Sequence, residues 1–150
     1  MSVPEVEKLI GEQMLCRIAF QNENAPYIAP FQYTLLNGQL YFHFTDYGKK
    51  MGLLQEGNSV CVEIERYNQD FSEYEFVVLT GNLRITTEPQ ERRKAIDQMI
   101  NTAKTKCLSE NFLVAHGVPK EASWESLASD DSIIIVKLEN LTERIGLKSP

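Results

Sequence analysis

Asn37-Gly38 sits between two extended apolar runs, and this dipeptide constrains the chain more than any other feature. Both residues tolerate positive φ, which the tight two-residue turn of a β-hairpin requires. The spacing therefore predicts a strand over residues 25–36 and an antiparallel return over residues 39–45. Alternation of apolar and polar residues predicts further strands over 14–20, 59–66 and 74–85. A last strand over 132–139 holds Ile133, Ile134, Ile135 and Val136, and an unbroken apolar run implies burial on both faces.

Helical spacing occurs in three places. Val3, Val6, Leu9 and Ile10 follow Ser2, a residue able to cap, with Pro4 in the first turn; this predicts a helix over 3–11. Tyr47, Met51 and Leu54 predict a second over 46–56, starting near Asp46. Thr87-Glu88-Pro89-Gln90 reads as a capping box opening a third over 88–104, with Ala95, Ile96, Met99, Ile100 and Ala103 as its apolar stripe. Residues 105–131 are weakly patterned, with one helical turn around 111–115. Six strands with few helices between them predict a mainly β fold: a closed or nearly closed antiparallel barrel, with helices over its ends or gaps. No repeat or linker divides the chain, so residues 1–150 are expected to form a single domain.

Composition removes several function classes. Fifteen Lys+Arg against twenty-one Asp+Glu leave a net charge of −6, the wrong sign for a protein that neutralises nucleic-acid phosphates without regard to sequence. Cys16, Cys61 and Cys107 are odd in number and widely spaced, so a disulfide framework is not expected, and Cys16 and Cys61 read as small core hydrophobes. His43 and His116 are too few for a multi-histidine metal site. Neither a leader pattern nor a membrane-spanning apolar run is present, and a soluble cytoplasmic protein is the expectation. The G-x-S-x-G, Walker and G-x-G-x-x-G patterns are missing.

Two stretches could carry chemistry. In Pro26-Tyr27-Ile28-Ala29-Pro30-Phe31-Gln32-Tyr33 the prolines are four apart, so both missing N–H donors lie on one strand edge, which cannot carry a full ladder. That edge is either protection against aggregation or bare backbone for a planar ligand along Ala29 to Gln32. In Tyr41-Phe42-His43-Phe44-Thr45-Asp46-Tyr47-Gly48-Lys49-Lys50 a strand leads to a helix carrying two lysines in its first turn. The helix dipole disfavours cations there. An anion would resolve the conflict: helix N–H groups, the Thr45 hydroxyl and the ammonium groups of Lys49 and Lys50 make a phosphate cradle, approached closely at Gly48. Otherwise the lysines are solvated surface groups. His43 and Thr45 share a strand face, so His43 would face whatever the phosphate carries, unless it is simply a structural histidine.

These residues resemble the FMN-binding split barrels of the pyridoxamine 5′-phosphate oxidase-like superfamily, nearest the nitroimidazole-resistance (Nim-like) branch. The elements that carry the resemblance are Cys16-Arg17-Ile18-Ala19-Phe20 with Pro26 to Pro30, Tyr41-Phe42-His43 followed by Gly48-Lys49-Lys50, Val60 to Glu63, Val77 to Leu83, and Ile133 to Ile145. The resemblance implies FMN as cofactor, its phosphate on Thr45, Lys49 and Lys50, its ring along the backbone of Ala29, Pro30, Phe31 and Gln32, and His43 close to the flavin. It implies a homodimer with the flavin at the subunit interface. It also implies a small-molecule oxidoreductase in which His43 positions substrate or supplies a proton. The same superfamily holds non-catalytic flavin binders, haem binders in which His43 would be an axial ligand, and members using a deazaflavin. Relatives often have Arg where Lys49 stands, and many have Arg-Ser where Glu75-Phe76 stand.

Overall fold

The alternating segments form β1 (Leu15–Phe20), β2 (Tyr27–Leu36), β3 (Gln39–Phe44), β4 (Ser59–Tyr67), β5 (Tyr74–Ile85) and β6 (Ile134–Lys148) of a computed structural model that describes residues 1–115 and 117–150. They close into an antiparallel barrel in the order β1-β2-β3-β6-β5-β4. Asn37 and Gly38 take φ of 52° and 76°, and the turn sets Leu36 opposite Gln39. Strand alternation sends Ile18, Phe42, Val62, Ile64 and Val77 into the barrel, where they are fully enclosed. Helix α1 (Val3–Glu12) adds Val6, Leu9 and Ile10 to this core. The Glu5 carboxylate accepts from the Ser2 backbone N–H and hydroxyl, which fixes the start of α1.

A second core lies outside the barrel. Helix α3 (Pro89–Thr105) packs Ala95, Ile96, Met99 and Ile100 against Tyr41, Ile133 and Ile135. The isoleucine run is thus buried on both sides, with Val136 facing the barrel interior and Ile135 facing α3. Short helix α4 (Asn111–Ala115) and a 3-10 turn over Trp124–Ser129 complete this layer. Among the described residues no helix is long and apolar enough to cross a membrane.

Four expectations need correction. The last strand does not stop at Glu139: it kinks where Asn140 takes φ 52°, shifts register opposite Gly81, and pairs with β5 again from Glu143 to Lys148. Its second half is exposed, so no in–out alternation marked it. Helix α2 (Lys49–Glu56) begins three residues after Asp46, because Gly48 at φ 92° is its N-cap. The cap of α3 is Glu88, not Thr87; its carboxylate accepts from the N–H groups of Gln90 and Glu91. Cys61 is exposed, because β4 turns Val60 and Val62 inward, whereas Cys16 is buried as expected. His116 lies outside the described residues.

Candidate functional site

The barrel is split beside β2. The Tyr33 N–H donates to the Met14 carbonyl at 2.9 Å, so N–H groups of alternate residues, Phe31 and Ala29, also face β1. The ring nitrogen of Pro30 therefore points to the opposite edge. On that side the pairing of β2 with β3 ends at Tyr33 opposite Phe42. Residues 27–32 keep β1 as their one partner strand, and a proline occupies the edge that has no ladder to lose. β3 carries β6 on its other edge, with Tyr41 to Phe44 opposite Lys137 to Ile134.

An open groove of about 550 Å³ runs along this edge. Leu15, Pro30, Phe31 and Gln32 line it from the barrel and Leu108, Ser109, Asn111, Phe112 and Ala115 from α4 and the segment before it, and Lys50 adds the one charge of the described lining. Phe31 turns inward and stacks on Phe44, ring centroids 4.9 Å apart. The Lys50 Nζ lies 4.4 Å over the Phe31 ring, and the Lys49 Nζ lies 4.6 Å over Tyr27. The first intrahelical bond of α2 runs from the Gly52 N–H to the Gly48 carbonyl, and no side chain caps the helix. The N–H groups of Lys49, Lys50 and Met51 therefore lack helical acceptors. Among the described residues neither lysine forms an ion pair, although acids outnumber bases in the chain. The result is a cationic, donor-rich helix start beside an otherwise neutral groove, fit for a planar anion.

The structure brings Pro30, Phe31, Gln32 and Lys50 together around the groove, with Lys49 beside them on Tyr27. Ala29 can offer only backbone, because its side chain is in the barrel core. The exposed Thr45 hydroxyl donates to the Tyr47 carbonyl at 2.8 Å. His43 is half-buried on the outer face of β3, opposite Ile135 of β6, and is not part of the groove lining. Its neighbourhood includes Asp130. That carboxyl is held below its ordinary value by hydrogen bonds from the Ser132 side chain and backbone, with smaller help from the charges of His43 and Arg92. The α4 wall was not foreseen; the weak periodicity of residues 105–131 carried no chemical signal beyond one expected helical turn.

A second concavity, about 340 Å³, lies between the β4–β5 hairpin and the C-terminal end of β6. Its cations are spent internally: Arg66 pairs with Glu12 and Glu75, and Lys148 with Glu5. It offers no free cation comparable to Lys50.

Residues 2–133 match the family described as pyridoxamine 5′-phosphate oxidase. The chain belongs to that family. Among solved structures, an FAD-binding protein from Mesorhizobium loti superposes with a TM-score of 0.69 at 17% identity, covering 100% of this chain and 96% of the other. A protein described as a candidate 5-nitroimidazole antibiotic resistance protein from Bacteroides thetaiotaomicron gives 0.66 at 19%, covering 98% and 83%. The heme storage protein HutZ from Vibrio cholerae gives 0.67 at 9%, covering 95% and 92%. At these identities the likeness is one of fold, the split barrel. No curated protein matches the sequence.

Proposed function

We propose that this member of the pyridoxamine 5′-phosphate oxidase family binds a flavin, FMN, in the groove beside β2 and serves as a small-molecule oxidoreductase. The observation that carries the reading is the unpaired edge of β2 beside a groove lined by Lys50, which with Lys49 opens a helix that no side chain caps. The residues fit the cofactor by chemistry. Lys49, Lys50 and the free N–H groups of α2 would take the phosphate. The backbone of Ala29, Pro30, Phe31 and Gln32 would lie along the ring. The Thr45 hydroxyl joins the phosphate shell only on releasing the Tyr47 carbonyl. When bound, the flavin would supply hydride acceptance and return; this chain would bind it, orient it and keep water from its buried side.

Names of similar structures support a flavin, two of them FAD-binding proteins. A haem is the rival ligand, given the heme storage protein of the same fold. The placement of His43 off the groove counts against its service as axial ligand there. On the outer face of β3, His43 would act as proton carrier or substrate holder only for a ring that reaches that face. A homodimer fits the surface: Leu15 and Ile28 beside the groove, and Ile145 and Leu147 farther round the barrel, are large apolar side chains left exposed. A second copy covering them would close the groove from outside.

The test is the visible spectrum of the purified protein, with mass spectrometry of the released ligand and the mass of the complex in solution. A flavin double band, FMN on release, and a dimer are expected. A Soret band, or a protein that takes up neither FMN nor FAD when titrated, overturns the reading. Turnover with a nicotinamide electron donor separates an enzyme from a carrier.

A further inference from the structure

Space continues along β2 past Gln32. Residues 30, 32 and 34 alternate onto the outer face of the strand, and a crevice follows that face beneath α3. Gln32, Leu108 and Phe112 line both the groove and the crevice. Tyr33, Thr34 and Thr102 line both the crevice and a third concavity of about 230 Å³, bordered by Gln13, Gln98 and the exposed Lys106. Pro30 to Thr34 is about 13 Å of strand, so the three spaces lie in one short file along β2. The crevice is its neck, with a volume of about 10 Å³, room for one water-sized molecule. Met99, Ala103 and Phe112 are buried in its wall, Met14 and Leu108 are half-buried, and the Gln32 amide stands where it meets the groove. Its hydroxyls are already engaged. Thr34 Oγ1 and Thr102 Oγ1 share a hydrogen bond at 3.4 Å, and the Tyr33 hydroxyl donates to the Ile10 carbonyl at 2.7 Å. A trapped water needs about two to four polar partners, and an apolar cavity without them stays dry and takes up apolar guests instead. Resting on the flavin reading above, we infer that this crevice seats dioxygen and passes it from the third concavity to the groove. Dioxygen arriving there would take two electrons and two protons from the reduced flavin and leave as hydrogen peroxide, with oxidised flavin restored. With the groove filled by cofactor and covered by a second copy, the file under α3 remains as a way in for a small apolar molecule.

Xenon probes the seat without any flavin. The protein has four methionines, Met1, Met14, Met51 and Met99, and NMR of isotope-labelled methionine methyl groups reads each of them. Under xenon the Met14 and Met99 signals are expected to shift and saturate, while Met51 and Met1, which pack in the barrel core, stay in place. Ala103→Leu fills the crevice and should abolish those shifts. In flavin-loaded protein reduced by dithionite, the same variant should slow reoxidation by dioxygen about fivefold or more, with flavin content unchanged. Reoxidation by ferricyanide, an anion too large for the crevice, should match the parent. Should Ala103→Leu fail to fold, Thr102→Leu, at a half-buried position between the crevice and the third concavity, is expected to give the same split between the two oxidants. Absence of the Met14 and Met99 shifts overturns the inference. So does a folded variant that dioxygen reoxidises at the parental rate, or one slowed equally with both oxidants. If the protein takes up no flavin, the cofactor reading falls and the passage with it, while the xenon shifts still decide whether the crevice is a dry apolar seat.

Discussion

Replacing Lys50 by alanine separates the charge at the groove from the fold that holds it, because the two effects have different sizes. In the ligand-free protein the ammonium rests 4.4 Å over the Phe31 ring, a contact of about 0.5–1 kcal/mol when partly exposed. Against that loss, a positive charge leaves the first turn of α2, where the helix dipole disfavours it by about 0.3–1 kcal/mol. The two terms nearly cancel, so Lys50→Ala should change unfolding free energy by less than about 1 kcal/mol, roughly 2–4 °C in Tm for a chain of this size. The ligand term does not cancel. A charge-assisted hydrogen bond from a half-buried ammonium to phosphate is worth about 1.5–3 kcal/mol, or about 10- to 150-fold in Kd. Lys49 is exposed and more strongly screened, so Lys49→Ala should cost about tenfold or less, and its share should fade as salt rises. FMN affinity by fluorescence quenching, set beside urea unfolding of the ligand-free proteins, reads both quantities. A double variant that binds FMN with the parental Kd refutes the cradle. A double variant that loses FMN only because it has lost several kcal/mol of stability refutes the separation of charge from fold.

The Glu91 carboxylate accepts from the Lys137 Nζ at 2.7 Å and the Tyr41 hydroxyl at 2.8 Å, pinning α3 to the barrel, and these bonds, that of Lys137 first, hold its pKa below the ordinary value. Its contribution is therefore complete above the unfolded pKa and disappears as pH falls through the lower folded one. Glu91→Gln should cost about 1–2 kcal/mol at pH 7, and its gap from the parent should close below about pH 4 in urea titrations. A Cβ on Gly81 would stand 2.8 Å from the Glu139 carbonyl oxygen and 3.1 Å from Leu141, so Gly81→Ala should lower stability by about 1–3 kcal/mol. An unchanged urea midpoint would mean that the bend of β6 is not packed this closely. Burial pushes the Cys16 thiol up to about 12, so a thiol reagent at pH 8 should leave it untouched in the native protein while exposed Cys107 reacts. Peptide mapping that finds Cys16 labelled before unfolding contradicts the closed core.

The barrel was legible because its constraints are local. Asn37-Gly38 names its own turn, and strands with one buried face must alternate, so five strands end within two residues of their expected C-terminal limits. Both cores follow from the isoleucine run, whose alternate members enter the barrel and the α3 layer. What escaped was set by partners distant in sequence. The second half of β6 has no buried face to alternate, and it is a strand only because β5 lies alongside it. Cys61 has the size of a core residue, and its exposure is decided by β4 register, one residue from the buried Val60 and Val62.

The site divides in the same way. Pro30 states in sequence that one edge of β2 lacks a donor, and the structure puts that nitrogen on the edge where the ladder with β3 has already ended at Tyr33. The lysine pair states that a helix begins where a cation is unwelcome, and the structure leaves both lysines without a carboxylate. The sequence marked the helical turn of α4 but not its place at the groove, because Ser109, Asn111 and Ala115 reach it through a connection too irregular to show a period. His43 marks the limit of strand parity as an argument. Parity places it on one face with Tyr41, and Tyr41 turns out to lie under α3 in the second core. The residue named for its closeness to the signature lysines therefore stands on the other side of the sheet from the Phe31 and Phe44 rings. A ligand held by Lys50 over Phe31 and one handled by His43 meet only if a ring extends through the split. His43→Ala should accordingly leave FMN affinity within about threefold of the parent, because His43 stands outside the groove lining. If turnover falls while affinity holds, the ring reaches through the split to β3's outer face; a loss of FMN affinity as large as that of Lys50→Ala would mean that His43, not the helix end, anchors the cofactor.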